Sequence, residues 1–392
     1  MLDQATIDIV KATAPAVKEN SDAITAHFYP LMFEQYPEVI PYFNQTNQGK
    51  GLQPKALARA VVAYGENIDA LGNLDGAVTK IIQKHCSLGV LPEHYPIVGT
   101  CLLQAIKAIM GDAATEEIID AWGKAYHQLA EILMTAEEAI YANNEQKLGG
   151  WRGERDFTLV KRVQESDVIT SFYFEPTDAQ GVPTFKAGQY TTVVLNINGH
   201  SVRRNYSLSD APGTPYLRIS VKRELNGLVS NYLHDTLKVG STVTLLPPCG
   251  EFTLRDNQKP LVLVTGGVGI TPAISMLNAS EKSNRDIRFI HAALNSKVHA
   301  FKEHVDSIVH NNTSVSSLYI YSDPSDQCVY DERGFITEDI LQKQLADTKD
   351  VELYFLGPKP FMNAVYKIVN KLGIPKDQVH YEFFGPDEEL IA

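Results

Sequence analysis

The stretch "LVLVTGGVGITP", Leu261 to Pro272, decides how the C-terminal third folds. Leu261 to Val264 form an unbroken aliphatic run, the mark of a strand buried on both faces in a parallel sheet. Gly266, Gly267 and Gly269 then punctuate the passage into an apolar helical run, so a strand turns directly into a helix. Thr271 is expected as the N-cap and Pro272 as the first helical residue. Free amides and the positive end of the helix dipole would suit a pyrophosphate there, with glycines letting its oxygens reach the backbone. The pattern is neither GxGxxG nor a P-loop, and a glycine turn that binds nothing is the alternative.

Working outward, the strands "IRFIHAA", "LYIYSD" and "VELYFLG" alternate with helical stretches, which predicts a parallel α/β domain over residues 258–392. Upstream, "YLRISVK" and "DFTLVKRV" alternate apolar with polar residues, and turn signals recur ("AQGVP", "NING", "DAPGTP", "ELNG"). Residues 147–257 therefore read as a small antiparallel β-barrel or sandwich. Before the linker "NNEQKLGGW" (143–151) the period becomes helical. Trp122, Tyr126, Leu129, Leu133, Ala136 and Ile140 step by four and three, so residues 1–146 read as all-α.

A chain of 392 residues exceeds one ordinary core, consistent with this division into several domains. Its net charge of −12 argues against a nucleic-acid surface, which needs clustered Lys and Arg. Cys86, Cys101, Cys249 and Cys328 are scattered without a CxxC pair, so neither a disulfide framework nor a zinc or iron–sulfur site is indicated. No signal peptide or membrane span is expected, and a cytoplasmic monomer without integral membrane association fits.

Within the helical part, "VTKIIQKHCSLGV" (78–90) sets Val78, Ile81, Ile82 and His85 on one helix face. His85 is then either a hydrogen-bonded core histidine or a metal or haem ligand.

The motifs "GQY" (188–190), "RNYS" (204–207), "GLVSNYL" (227–233), "GGVGITP" (266–272) and "LGP" (356–358), in this order, resemble the ferredoxin–NADP reductase-like flavoproteins. The resemblance implies an FAD-binding β-barrel followed by an NAD(P)-binding domain. It assigns Tyr190, Arg204, Asn205, Tyr206 and Ser207 to the flavin, and Gly267, Val268, Gly269, Ile270, Thr271 and Pro272 to the NAD(P) pyrophosphate. In the C-terminal "YEFFGP", Glu382, Phe383, Phe384, Gly385 and Pro386 would lie near the flavin, an aromatic covering the face that nicotinamide must reach. Leu356 departs from the family, which has Cys before Gly-Pro. Asn295 and Ser296 come without an arginine suited to a 2′-phosphate, which favours NADH over NADPH.

The stretches "ITAHFYPLMF" (24–33), "QKH" (83–85) and "AWGKAY" (121–126) resemble a globin of the flavohaemoglobin type, and the whole chain then resembles that family. This implies haem b with His85 as the iron ligand, preceded by Lys84 and tuned by Tyr95 and Glu137. From the residues alone, Tyr95 could be a loop tyrosine between Pro92 and Pro96, and Glu137 a solvated helix residue. On the distal side the resemblance offers Tyr29, Phe43, Gln53 and Leu57. Tyr29 and Phe43 could equally be core packing, and Pro54 leaves the direction of Gln53 open. The implied reaction is nitric oxide dioxygenation: nitric oxide and dioxygen become nitrate with electrons passed from NAD(P)H through FAD to haem. An NAD(P)H-dependent flavin reductase of other acceptors, or a haem gas sensor or store, stays open.

Overall fold

The computed structural model describes residues 2–43, 52–345, 348–385 and 390. It divides into two compact units: residues 1–146 with 151–154 and 194–204, and residues 147–150 with 155–193 and 205–392.

The first unit is built on helices α1 (Gln4–Glu19), α2 (Ser21–Gln35), α3 (Leu52–Glu66), α4 (Asp75–Leu88), α5 (His94–Met110) and α6 (Glu116–Gln146). Helix α1 starts where Asp3 accepts the Thr6 amide at 2.8 Å, satisfying one of the amides that a helix start leaves without a partner. Its buried face, Thr6, Val10, Ala14 and Val17, has helical spacing. Trp122 of α6 donates its indole N–H to Thr13 at 2.9 Å. A Cβ at Gly65 of α3 would stand 2.8 Å from the same indole, so glycine is what lets α3 approach. Helix α4 stops at Gly89, which takes the left-handed conformation (φ 74°) while the Val90 amide returns to the His85 carbonyl at 3.0 Å.

Two sheets follow in chain order, residues 194–204 of the first clustering with the helical unit. β1 (Arg155–Gln164), β2 (Ile169–Pro176), β3 (Tyr190–Ile197), β4 (His200–Ser207), β5 (Leu217–Lys222) and β6 (Thr242–Cys249) form a sheet of order β4-β3-β6-β1-β2-β5. A bridge between Leu208, just past β4, and Ile219 of β5 joins its two ends, which selects a barrel over a sandwich. Asn198 and Gly199, both at positive φ (54° and 81°), make the tight turn between β3 and β4 that "NING" announces. A short helix α7 (Leu228–Asp235) precedes β6.

The other sheet is all parallel where its register is defined, with order β10-β9-β8-β7-β11-β12. Its strands are β7 (Leu261–Gly266), β8 (Ile287–Ala293), β9 (Val315–Tyr321), β10 (Glu332–Arg333), β11 (Glu352–Leu356) and β12 (Val379–Tyr381). The connecting helices are α8 (Ile270–Ser280), α9 (Lys302–Asn311), α10 (Glu338–Leu345) and α11 (Lys359–Leu372). All of β7 is buried, as its aliphatic run requires. The chain leaves β7 toward β8 on one side and returns as β11 on the other, so the glycine turn sits at the topological switch point where ligands bind such sheets.

The start of α8 differs from expectation. Gly267 (φ 53°) opens a single 3₁₀ turn through Gly269, and the α-helix begins at Ile270 with Gly269 as cap. Thr271 is therefore already helical, its hydroxyl donating to the Val268 carbonyl at 3.1 Å, and Pro272 stands past the first helical position, still where no amide is needed.

Candidate functional site

In the helical unit His85 lies in the last turn of α4, held there by the Gly89 stop. Its Nδ1 is 2.8 Å from Oε1 of Glu137 and 3.0 Å from the Tyr95 hydroxyl, and Tyr95 donates to the same Oε1 at 2.5 Å. Tyr95 is in the first turn of α5, not in a loop, and is buried. Glu137 is also buried, contrary to a solvated helix face, because the buried stripe of α6 runs Leu133, Glu137, Tyr141. A buried carboxylate needs donors, and these two supply them. Burial, and next the hydrogen bond to Glu137, raise the Tyr95 pKa far above the phenol range, so its proton stays on the hydroxyl. With that proton committed to Glu137, the hydrogen between His85 and Glu137 belongs on Nδ1, which leaves the lone pair on Nε2.

Tyr126 supports the trio from behind. It donates to the Tyr95 carbonyl at 2.7 Å, and its ring lies where a Cβ on Gly99 would come within 2.5 Å. Tyr141 likewise holds the Val90 carbonyl at 2.7 Å. Cys86 is buried with its thiol 3.8 Å from the Glu137 carbonyl, a packing role. Lys84 is exposed on α4.

A second group gathers around Tyr29, which is buried on α2 with ring centroids 4.8 Å from Phe28, 5.9 Å from Phe33 and 5.7 Å from Phe43. Leu57 is half-buried on α3 and lines a small cavity with Val17, Ile24, Val61 and Leu102. Gln53 falls at the start of α3, where its side chain lies outside the described residues.

The chemistry of this donor set fits a haem. His85 Nε2 makes no hydrogen bond among the described residues, and the imidazole side chain is 31% exposed beside an otherwise buried carboxylate. An imidazole with Nε2 available and a carboxyl group behind Nδ1 is the kind of donor that suits haem iron.

In the second unit, Ser207 is buried and Tyr190, Asn205 and Tyr206 are half-buried. Asn205 donates to the Thr192 hydroxyl at 2.8 Å, and the Tyr190 ring occupies the place beside Gly250 that a Cβ would reach at 2.8 Å. Half-buried Arg204, at the edge of the first unit, donates to the Arg203 carbonyl at 2.8 Å. Phe383 and Glu382 are half-buried, Phe384 and Gly385 exposed, and Pro386 lies outside the described residues. Strand β11 persists to Leu356 despite the missing cysteine.

The "GGVG" and "LGP" motifs are pressed together. A Cβ on Gly269 would fall 2.2 Å from the Leu356 carbonyl oxygen, whereas one on Gly267 would meet nothing within 4 Å. Gly269 is thus fixed by packing, and Gly267 leaves an open cradle at a helix start, the shape that a pyrophosphate needs. Gly269→Ala should force β7 and β11 apart, costing about 2 kcal/mol as overpacking of a tight site. A drop in melting temperature together with a raised KM for NADH would check it.

Family models match at residues 26–133 (Globin), 156–254 (Oxidoreductase FAD-binding domain) and 263–367 (Oxidoreductase NAD-binding domain). A "Flavohemoprotein" of Pseudomonas putida is 51% identical over 393 residues, covering 100% of both chains. The chain belongs to the flavohemoprotein family. Among solved structures, a flavohemoglobin from Malassezia yamatoensis described with bound FAD and heme is 26% identical, with a TM-score of 0.85 over 98% of this chain and 100% of that one. The FAD/NAD-binding domain of a nitric oxide dioxygenase from Vibrio cholerae is 33% identical, with a TM-score of 0.54 over 59% of this chain and 99% of that one. As a flavohemoprotein the chain is an NAD(P)H-dependent oxidoreductase, with haem and FAD as its cofactors and electrons passing to the haem. Among the described residues, no helix is long and apolar enough to cross a membrane.

One residue of this flavohemoprotein went unmarked in the sequence reading. Arg203 belongs to the first unit, where its guanidinium donates to the Leu88 carbonyl and, at 2.7 Å, to Glu154, and sits 4.4 Å from the Tyr42 ring centroid. Leu88 ends the helix that carries His85, so a cation here satisfies a carbonyl at the negative end of the helix dipole. The signal was the "RR" doublet in a strand: successive residues point to opposite faces, so only one of the two can serve the flavin.

Proposed function

We propose that this flavohemoprotein is a nitric oxide dioxygenase, preferring NADH, that works as a cytoplasmic monomer. Three functional regions, 1–146, 147–257 and 258–392, would bind haem, FAD and NAD(P)H respectively. The observation that carries this reading is the His85–Tyr95–Glu137 trio, which charges the imidazole more strongly than a simple gas store requires. The name of the Vibrio cholerae relative supports it.

When bound, FAD turns hydride equivalents into single electrons and haem iron supplies the gas-binding, redox-active metal. The glycine turn 267–269 and the start of α8 would hold the nicotinamide dinucleotide by its pyrophosphate, the Ile270 amide being engaged by the Gly267 and Val268 carbonyls, and Arg204 to Ser207 with Tyr190 would hold the flavin. His85 would bind iron through Nε2 while Glu137 accepts the Nδ1 proton, with Tyr95 holding that carboxylate in place. Tyr29 would donate its hydroxyl to dioxygen where negative charge gathers, with Phe43 and Leu57 shaping an apolar pocket. Asn295 and Ser296 are engaged locally, the one accepting from the Lys297 amide at 3.2 Å and the other 3.2 Å from Cys328, which supports NADH over a 2′-phosphorylated donor.

The test is rapid mixing of nitric oxide with aerobic, NADH-supplied protein. Nitrate should form in one-to-one yield with the nitric oxide consumed; its absence, with NADH still oxidised, would leave only a reductase of other acceptors.

A further inference from the structure

Asp210 lies three residues past Ser207, the end of β4, and faces helix α8, which follows directly on the glycine turn. Two of its groups are held by that helix. The fully buried Ser275 donates its hydroxyl to the Asp210 carbonyl at 2.6 Å, and Asn278, one turn on along the same face, donates to Oδ1 at 2.8 Å. The remaining carboxylate oxygen is held from the barrel side. Tyr216 donates to Oδ2 at 3.0 Å, and Nη1 of the buried Arg218 stands 3.3 Å from it, the guanidinium lying 5.7 Å from the Tyr173 centroid and 5.3 Å from that of Phe301. His304 of α9 closes the far end, its Nε2 2.7 Å from the Asn278 carboxamide oxygen.

This polar junction is surrounded by continuous core. Ala187 and Phe252 of the barrel belong to one buried cluster with Ile270, Ile274 and Met276 of α8. A Cβ on Gly188, at φ 103°, would lie 2.0 Å from the Phe252 carbonyl oxygen and 2.6 Å from the Met276 methyl. The apolar contacts hold the two layers together without fixing a sliding coordinate, whereas the bonds to Asp210 are directional and fix one.

We propose that Asp210 is a positioning residue for hydride transfer: by binding Ser275 and Asn278 it sets the spacing between the flavin-holding strand and the helix that receives the nicotinamide dinucleotide. The proposal rests on the assignment of Arg204–Ser207 to the flavin and Gly267–Pro272 to the dinucleotide. Hydride transfer demands near-contact of the nicotinamide donor carbon and the flavin acceptor nitrogen, and a displacement of about 1 Å at such a distance lowers the rate by up to about 100-fold.

The experiment is anaerobic stopped-flow bleaching of the flavin by NADH in the full-length holoprotein, with FAD content and KM for NADH measured in parallel. Asn278→Asp places a second carboxylate against Asp210; it should slow bleaching about 10-fold with FAD content and KM nearly unchanged. The exchanged pair D210N/N278D restores one amide-to-carboxylate bond and should recover most of that loss. Ser275→Ala, which removes only a hydroxyl, should slow bleaching less than Asn278→Asp. Bleaching at the wild-type rate in both single variants overturns the proposal, as does a double variant no faster than Asn278→Asp. Loss of FAD or a large rise in KM in Asn278→Asp also overturns it, since Asp210 would then serve binding or folding rather than spacing. Failure of the wild-type flavin to bleach at all instead sinks the cofactor-site assignment.

Discussion

Replacing His85 by alanine should remove the haem absorption bands from the purified protein while the flavin bands stay at full strength. His85 Nε2 is the nitrogen that the surrounding hydrogen bonds leave available, and alanine offers no ligand in its place. The same change leaves the buried Glu137 with Tyr95 as its remaining donor in the trio. Losing a hydrogen bond to a charged group costs about 2 kcal/mol, so the helical unit should also melt earlier. His85→Gly with added imidazole separates the two effects, because a free imidazole can occupy the vacated space and restore the bands without restoring the chain. A His85→Ala protein that keeps haem bound in wild-type amounts would return His85 to the status of a core histidine.

Tyr29→Phe should lower nitrate formation about 100-fold, the cost of removing one donor aimed at developing charge. Phenylalanine retains the ring that packs against Phe28, Phe33 and Phe43, so folding and haem content should hold. NADH-driven reduction of an artificial dye draws only on the flavin and nicotinamide sites and should proceed as before. Equal loss of both activities would point to a disturbed fold, and retention of nitrate formation would assign Tyr29 to packing alone.

How much of this was legible in the residues depended on how many reasons each residue type can have for being where it is. The glycine turn was legible because an aliphatic strand, three glycines and an apolar helix admit few other geometries. Its helix start was misplaced because Gly267 inserts a 3₁₀ turn that no spacing rule reveals. Antiparallel alternation gave the barrel strands, but its closure depends on the bridge from Leu208 to Ile219, a pairing that alternation does not encode.

At the candidate haem site, His85 stood out by periodicity, while Glu137 did not, because its partner lies 52 residues away and glutamate on a helix usually faces water. A signal was nonetheless present: Leu133, Glu137 and Tyr141 repeat every four residues, so the carboxylate sits in the middle of an apolar stripe. Asp210 carried no such mark, since an aspartate before "APG" reads as an ordinary turn residue. Only the approach of α8, a helix that begins 60 residues later in the chain, gives it a second meaning.

The hairpin segment 194–204 is covalently part of the barrel yet packs as part of the helical unit. Arg203 is the reason with the clearest chemistry, covering the Leu88 carbonyl and the Tyr42 ring. A haem fragment cut from the chain at residue 146 would therefore hand that carbonyl back to water and lose a cation beside the helix that bears His85. A reductase whose hairpin carried no arginine at this strand position would leave the Leu88 carbonyl and the Tyr42 ring without that cation. The helical unit is thus completed by a short strand encoded about 50 residues after its last helix ends.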